Sequence, residues 1–168
     1  MADELPAADT PAIAAIAGSG LDVRVVRTPR AGSAAESAEL QGIELGALLR
    51  TIVVRRGDGD YLFVLVPADR RFDWPKLRAH LGIRRLTLPD ADEARRATGY
   101  ERYTITPFGA TTPWPVIIDH SAMTFDRVSV GAEPSASVCM SLRRISCVIS
   151  TRTSSTCRRS SRRRSGID

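Results

Sequence analysis

The chain has 168 residues, 43% of them hydrophobic, which fits one globular domain, and no apolar run approaches the roughly 20 residues of a membrane-spanning helix. Its net charge of +5 comes from residues 133–168, where eight arginines face two acidic residues, so that residues 1–132 sum to −1. The main part of the chain therefore gives little support for a basic nucleic-acid-binding face. The acidic N-terminus lacks the basic region of a signal peptide, which predicts a cytoplasmic protein.

The first half of the chain predicts two short helices, a strand and a hairpin. Thr10-Pro11 is typical of a helix start, and Gly18 of its end. Apolar and polar residues alternate in LDVRVVR (21–27), as in a half-buried strand. Ser33 and Glu36 form a capping box that opens the second helix. LLRTIVVRR, GDGD and YLFVLVP then predict two strands joined by a tight turn.

The second half predicts two more helices and several short strands. Asp73-Trp74-Pro75 opens a helix that Gly82 ends, and Pro89-Asp90 opens another that ends at Gly99. Residues 104–119 read as a loop with two short strands, and FDRVSVG (125–131) as one further strand. Together the elements predict an α+β domain with a mixed, mostly antiparallel curved sheet or barrel and flanking short helices.

Several kinds of chemistry are poorly supported. The only histidines, His80 and His120, are far apart and have no paired cysteines near them, so we expect neither a metal nor a cofactor. The three cysteines all lie beyond residue 138, which excludes a cysteine nucleophile or disulfide framework before it. Asp119-His120-Ser121 suggests a catalytic triad, but adjacent residues of an extended segment point to opposite sides.

The segment TGYERYTITPFGATTPWPVIID (98–119) is unusually restricted by glycine and proline. Such loops can present main-chain N–H groups to an oxygen atom of a ligand. They can equally well be tight turns that close a small barrel. Composition alone leaves both interpretations open.

The order of these motifs resembles a known family. A capping-box helix precedes GIELGALLRTIVV, followed by the hairpin GDGDYLFVLVPAD, two short helices, ATGYERYTITPFGATTPWPVIID and FDRVSVGA. Over residues 20–132 this is similar to the YbaK/ProX-like aminoacyl-tRNA deacylases, relatives of the editing domain of bacterial prolyl-tRNA synthetases. The resemblance implies a cytoplasmic hydrolase that acts on mischarged tRNA, with an aminoacyl-tRNA synthetase as a further partner.

The resemblance also implies the site residues. Arg50 stands where the family has the lysine of its "K-t-l-v" strand, which makes it the implied catalytic residue, with Thr51 beside it in the substrate site. The implied pocket lining is Thr106, Pro107, Phe108 and Gly109, with Gly99 and Asp119 shaping its walls.

Two positions depart from the family pattern. Arg50 keeps the positive charge of the family's lysine but not its compact ammonium group, and it could instead be an ordinary solvated charge on a strand. Tyr103 stands where relatives tend to have glycine, so that a bulky side chain would fill the pocket or forbid a positive φ. Both departures favour an impaired enzyme, or a catalytically silent module that binds tRNA or a small ligand.

The C-terminus does not follow the family. Residues 133–168 are rich in Ser, Arg and Cys, a composition that predicts disorder. Residues 137–157, written with GC-favoured codons and read from the third base of the Ser137 codon, give RVHVAAADLVRHLDADVVDV, which reads as a strand, a capped helix and a second strand. We therefore expect a reading-frame shift near residues 131–137, which could leave a non-functional product. The alternative is a basic arm, Arg158-Arg159 and Arg162-Arg163-Arg164, that binds RNA phosphates.

The predicted organisation is thus threefold. Residues 1–20 form an N-terminal helix and lead-in, residues 21–132 a deacylase-like domain, and residues 133–168 a disordered tail.

Overall fold

The computed structural model describes residues 10–102, 104–133 and 136–141 of the chain. These residues contain four helices, six strands and two short 3-10 helices, the latter at Leu45–Ala47 and His120–Thr124. In chain order the helices and strands are α1 (Pro11–Ala17), β1 (Val23–Arg27), α2 (Ala34–Gln41), β2 (Leu48–Gly57), β3 (Asp60–Pro67), α3 (Trp74–Leu81), α4 (Ala91–Thr98), β4 (Val116–Ile118), β5 (Arg127–Glu133) and β6 (Ala136–Ser141).

Local sequence signals determine where the helices begin and end. The side chain of Ser33 accepts a hydrogen bond from the main-chain N–H of Glu36 at 3.1 Å and so caps α2, as the capping box predicts. The helices α2, α3 and α4 are followed by Gly42, Gly82 and Gly99, whose φ angles are 65°, 66° and 80°. Glycine adopts this left-handed conformation at little cost, which explains why the chain turns away at these points.

The six strands form one mixed sheet in the order β1-β6-β5-β2-β3-β4. The pairs β1–β6, β6–β5 and β2–β3 are antiparallel, whereas β5–β2 and β3–β4 are parallel. Within the described residues the sheet is open, with β1 and β4 at its edges. The predicted α+β class is confirmed, and of the two predicted forms the open sheet is found rather than the barrel.

Helices cover both faces of the β2–β3 hairpin. On one face Leu77 of α3 packs with Val64 and the other buried residues of that cluster. On the other face Ala97 of α4 packs with Val53 and Phe63. Val64 and Phe63 are neighbours in β3, so their side chains point to opposite faces of the sheet. The hairpin is therefore the buried centre of the fold, and its position fixes that of α4.

Part of the predicted tail belongs to the sheet. Residues 136–141 form β6, which pairs with β1 on one side and β5 on the other, although they lie in the segment 133–168 that we predicted to be disordered. Val138 and Met140 are 0% and 3% exposed, because apolar and polar residues alternate along this strand. We therefore correct the expectation for residues 136–141. Glu133, the first residue of that segment, ends β5, and residues 134, 135 and 142–168 lie outside the described residues.

The segment 104–119 contains one strand, β4, rather than the two that we predicted. Residues 104–115 follow an irregular path instead, held by side-chain and turn hydrogen bonds such as that from Trp114 Nε1 to the carbonyl oxygen of Ala97 at 2.7 Å. Proline residues at 107, 113 and 115 cannot donate main-chain hydrogen bonds, which explains why a regular ladder does not form here.

Candidate functional site

A cavity of about 790 Å³ opens in the sheet where β2 and β5 separate. The two strands pair only at Leu48↔Ser129 and Leu49↔Val130. Farther along, β2 makes its next contact on this side through Arg55, which pairs with Thr87. Between these two points the cavity is bordered by β2, by the first turns of α2 and α4, and by residues of β5 and β6. A cavity of this size can hold a small organic ligand.

Two of the predicted site residues lie on this cavity. Arg50 and Thr51 both line it where β2 leaves β5. The guanidinium of Arg50 is exposed, and its Nη2 donates a hydrogen bond to the main-chain oxygen of Arg70 in the loop after β3. This bond directs the guanidinium toward the loop after β3, while the residue itself borders the cavity.

The predicted pocket loop, residues 106–109, lies beneath α1 instead of facing the cavity. Thr106 is fully buried, and the half-buried ring of Phe108 packs with Ile16 of α1. Gly109 has a φ of 66°, and a Cβ atom there would lie 2.3 Å from the carbonyl oxygen of Pro11. Thr106, Pro107, Phe108 and Gly109 are not among the described residues that line the cavity, whereas their neighbour Ile105 is. Tyr103 lies outside the described residues.

Gly99 and Asp119 also lie away from the cavity. Gly99 follows α4, and a Cβ atom there would meet Cγ2 of Thr111 at 2.7 Å. The Oδ1 atom of Asp119 accepts hydrogen bonds from the N–H and the hydroxyl of Ser121, at 2.9 and 2.7 Å, and so caps the 3-10 helix that follows. Asp119 borders a separate recess of about 30 Å³ beside Lys76, which has room for about one water molecule. The histidine between Asp119 and Ser121 takes no part in their hydrogen bonds.

The structure adds a wall that the sequence did not reveal. Residues 88–91, which lead into α4, border the cavity opposite β2, and Leu88 is 59% exposed there. Pro89 and Asp90 marked the start of a helix in the sequence. No local signal indicated that this start faces β2, because the approach depends on the long-range pairing of Arg55 with Thr87.

A partly buried polar network fixes this wall to the hairpin. Glu93 of α4 accepts hydrogen bonds from the hydroxyl of Tyr61 at 2.7 Å and from Nη1 of Arg55 at 3.2 Å. Nε of Arg55 donates to the hydroxyl of Thr87 at 3.1 Å. The hydrogen bond to Glu93, followed by burial, raises the pKa of Tyr61 above its usual 10.0, so the phenol stays protonated and continues to donate. The wall is therefore held by charge-assisted hydrogen bonds.

Among the residues that the structure describes, no three or more His, Cys, Asp or Glu side chains are grouped so that they could hold a metal ion. In the same residues no helix is long and apolar enough to cross a membrane.

The sequence of the chain matches that of a known family of domains. The sequence profile of the aminoacyl-tRNA editing domain matches residues 28–143, well over half of the chain. The chain therefore belongs to the aminoacyl-tRNA editing domain family, as the resemblance predicted.

The similar curated proteins are much longer. The proline–tRNA ligase of Trichlorobacter lovleyi is 28% identical over 107 residues, which cover 64% of this chain and 19% of the ligase. The proline–tRNA ligase of Moorella thermoacetica is 32% identical over 87 residues, covering 52% of this chain and 15% of the ligase. The chain thus spans about a fifth or less of the length of the ligases it matches.

Solved structures share the fold. A crystal structure of a proposed trans-editing enzyme for prolyl-tRNA synthetase superposes with a TM-score of 0.63 and 27% identity, covering 71% of this chain and 76% of its own. A crystal structure of a hypothetical protein gives a TM-score of 0.72 at 22% identity and covers 81% of this chain and 91% of its own. The latter supports the fold alone.

Proposed function

We propose that the chain is a trans-acting editing hydrolase that cleaves the ester between a wrongly attached amino acid and its tRNA. The observation that carries this proposal is the cavity between β2 and β5, lined by Arg50 and Thr51, in a chain of the editing-domain family. The proposed substrate is a mischarged tRNA, and an aminoacyl-tRNA synthetase that produces such tRNAs is the proposed partner. Both are expected in the cytoplasm.

Hydrolysis of an aminoacyl ester requires few catalytic groups from the protein. An aminoacyl ester is already activated, so a water molecule held in place can attack its carbonyl carbon. The water oxygen bonds to the acyl carbon, the bond from that carbon to the ribose oxygen breaks, and the ribose oxygen takes up a proton. Hydrogen-bond donors that stabilise the negative charge on the carbonyl oxygen are the main requirement. No covalent nucleophile is needed, in agreement with the absence of cysteine from residues 1–138.

We assign Arg50 the role of the cationic group that contacts the substrate. Arg50 borders the cavity, and its cationic side chain can attract the phosphate next to the aminoacylated ribose when it leaves the main chain of Arg70. For the other predicted residues, Thr106, Pro107, Phe108, Gly109, Gly99 and Asp119, a part in substrate binding remains a proposal. Their positions in the structure support a role in holding the fold around the cavity.

Hydrolysis of a panel of tRNAs, each charged with a wrong amino acid, tests this proposal. The chain should release at least one amino acid faster than buffer alone, and Arg50→Ala should slow that release about tenfold or more, since a charge-assisted contact is lost. Arg50→Lys restores the residue expected in the family and should match or exceed the unmodified chain. Arg84→Ala removes an exposed arginine that does not line the cavity and serves as the control. Failure to release any amino acid from the panel would refute the enzymatic proposal.

A second candidate is a catalytically silent module that binds tRNA or a small ligand. The bond from Arg50 to the main chain of Arg70 favours it, because a guanidinium tied to a loop is less free to follow a reacting ester. In that case tRNA should bind with a salt-dependent affinity while no variant releases an amino acid.

The third candidate concerns the end of the chain. We retain the proposal that the reading frame shifts near residues 131–137, so that the tail as written, residues 133–168, carries no selected function. Because β6 alternates apolar and polar residues as written, the sheet is supplied with this strand even in the present frame. Sequencing the genomic DNA across codons 128–168 tests the shift directly. A frame-restored chain should then melt higher and deacylate faster than this one, and equal values for the two would argue against the proposal.

A further inference from the structure

The main chain of β2 has a definite orientation at the cavity. In an antiparallel pair, alternate residues direct both their N–H and C=O groups toward the partner strand. The N–H of Ala68 donates to the carbonyl of Leu48, so the even-numbered residues of β2 face β3. Arg55 directs its N–H and C=O to Thr87 on the opposite side. Thr51 and Val53 share the parity of Arg55, so their main-chain groups face the cavity.

The residues of β3 opposite Thr51 and Val53 support this orientation independently. The register places Leu65 opposite Thr51 and Phe63 opposite Val53. The N–H of Phe63 donates to the carbonyl of Pro115, and the carbonyl of Leu65 accepts from Asp119, both on the β4 side. Thr51–Leu65 and Val53–Phe63 are thus among the pairs that do not exchange hydrogen bonds within the hairpin.

The outward groups of Thr51 and Val53 lack a strand partner among the described residues. The ladder with β5 ends at Leu49, and the contact with Thr87 begins at Arg55. These limits are six residues apart, or roughly 20 Å along an extended strand. Between them two pairs of N–H and C=O groups point into the cavity. Unpaired main-chain groups in such a place are strong sites for hydrogen bonding to a ligand.

We infer that this open stretch of β2 binds the aminoacyl group of the substrate as though it were one residue of an adjacent strand. An aminoacyl group contains the same N–Cα–C=O unit as a strand residue. Its ammonium group can donate to the carbonyl of Val53 while its ester carbonyl accepts from the N–H of Val53, as in a hydrogen-bonded antiparallel pair. This assignment rests on the proposed function, because it names how the same cavity holds the acyl end of a charged tRNA.

The lining of the cavity sets the direction of the ligand. Toward α4 the lining includes the apolar residues Leu88, Ala94 and Ile105, which suit an uncharged side chain. Asp90 lies there too, and its negative charge suits the ammonium group although its Oδ1 already caps α4. At the other end Arg50 carries the positive charge that suits a phosphate. The aminoacyl unit therefore lies at Val53, and the ribose and phosphate extend past Thr51.

The N–H of Val53, which donates to no strand among the described residues, also has a catalytic consequence. A donor already aimed at the ester carbonyl stabilises the negative charge that develops there when water attacks. Because the donor belongs to the main chain of a paired strand, no side-chain substitution removes it. The amide itself must be altered to test the assignment.

Two stable probes test recognition from the side of the ligand. They are 3′-alanylamido-3′-deoxyadenosine and its lactyl counterpart, which differ only in an ammonium group against a hydroxyl. Calorimetry with the full chain should show the alanyl probe binding about tenfold tighter or more, since a hydrogen bond from a charged donor is lost in the lactyl probe. Equal affinities for the two, or no binding of the alanyl probe, would overturn the inference.

Replacing single amides by esters tests recognition from the side of the protein. Incorporating 2-hydroxy-3-methylbutanoic acid at Val53 removes the outward N–H, and it also weakens the carbonyl of Ile52 as an acceptor toward Val64. The same replacement at Val64 removes the donor of that Ile52–Val64 bond and leaves the cavity side intact, which makes it the matched control. The ester at Val53 should bind the alanyl probe about fivefold more weakly, whereas the ester at Val64 should lower the melting temperature without changing the affinity.

The outcomes separate this inference from the proposed hydrolysis. Binding that depends on Val53, without release of any amino acid from the tRNA panel, would support the site and refute the enzyme. Release that is equally fast with the Val53 ester and the unmodified chain would support the enzyme and refute the site.

Discussion

Replacing Gly109 by alanine tests whether the loop at residues 106–109 is packed beneath α1. Gly109 has a φ of 66°, and an added Cβ atom would lie 2.3 Å from the carbonyl oxygen and 2.9 Å from the next main-chain nitrogen of α1. Both contacts involve main-chain atoms, which cannot move aside as the end of a side chain can. Alanine should therefore strain the backbone and push α1 away from β5 and β6.

Two contributions determine the magnitude. An alanine in the left-handed conformation costs about 1 kcal/mol. Forcing extra volume into a packed region costs a further 1 to 3 kcal/mol, approximately. We expect Gly109→Ala to lower the free energy of unfolding by about 2 to 4 kcal/mol, which corresponds to a fall of roughly 5 to 15 °C in the melting temperature for a chain of this size.

Gly59 provides the matched control. It lies in the turn between β2 and β3 with a φ of 67°, but a Cβ atom there would have nothing within 4 Å. Gly59→Ala should cost only the conformational part, about 1 kcal/mol. Urea unfolding of both variants, followed by circular dichroism, measures the difference. Equal losses of stability would show that α1 does not cover the loop, and a stable Gly109→Ala variant with altered deacylation would place the loop in the substrate site instead.

Three further substitutions test the wall of the cavity and β6. The raised pKa of Tyr61 means that its protonated hydroxyl stabilises the fold below pH 10.0, and this contribution is lost as the pH rises through the folded pKa. Chemical unfolding across pH should therefore show that the stability of Tyr61→Phe falls less steeply above about pH 10 than that of the unmodified chain. Asp90→Ala removes the Oδ1 atom that accepts from the N–H of Glu93 at 2.7 Å and caps α4, and it should lower the free energy of urea unfolding by about 1 kcal/mol. The control Asp92→Ala, at an exposed position, should change stability little, and equal losses for the two variants would refute the capping role. Met140→Ala should cost about 2 to 5 kcal/mol by thermal unfolding, since Met140 is 3% exposed in the core, and an unchanged melting temperature would remove β6 from the core.

The local elements were predictable because their causes are local. A capping side chain and the N–H it accepts from are three residues apart, as in Ser33 and Glu36, and the tight hairpin is encoded by its own turn. The α+β class followed from the alternation of such elements. Arg50 and Thr51 could be placed on the cavity for a similar reason, since the family motif runs along a single strand.

The pocket loop shows the limit of local reasoning. Glycine and proline in residues 106–109 indicated a restricted backbone correctly, and Gly109 does adopt a positive φ. They could not indicate what the loop packs against, because that partner is α1, almost a hundred residues earlier in the chain. The prediction of disorder for the residues of β6 was wrong because composition, too, carries no information on distant partners. The Ser and Cys residues of β6 suggested disorder, while two neighbouring strands were available to pair with it.

The sequence by itself determined the helix ends, the hairpin, the fold class and the family to which the chain belongs, since each depends on residues close together or on motifs in a fixed order. Only the tertiary structure decided that β2 and β5 separate after Leu49, that α4 closes the far side of the gap through Arg55 and Thr87, and that Thr51 and Val53 turn their main chain into the cavity. The physical reason is that a cavity is made by strands that fail to meet, and where they fail is set by contacts among distant residues.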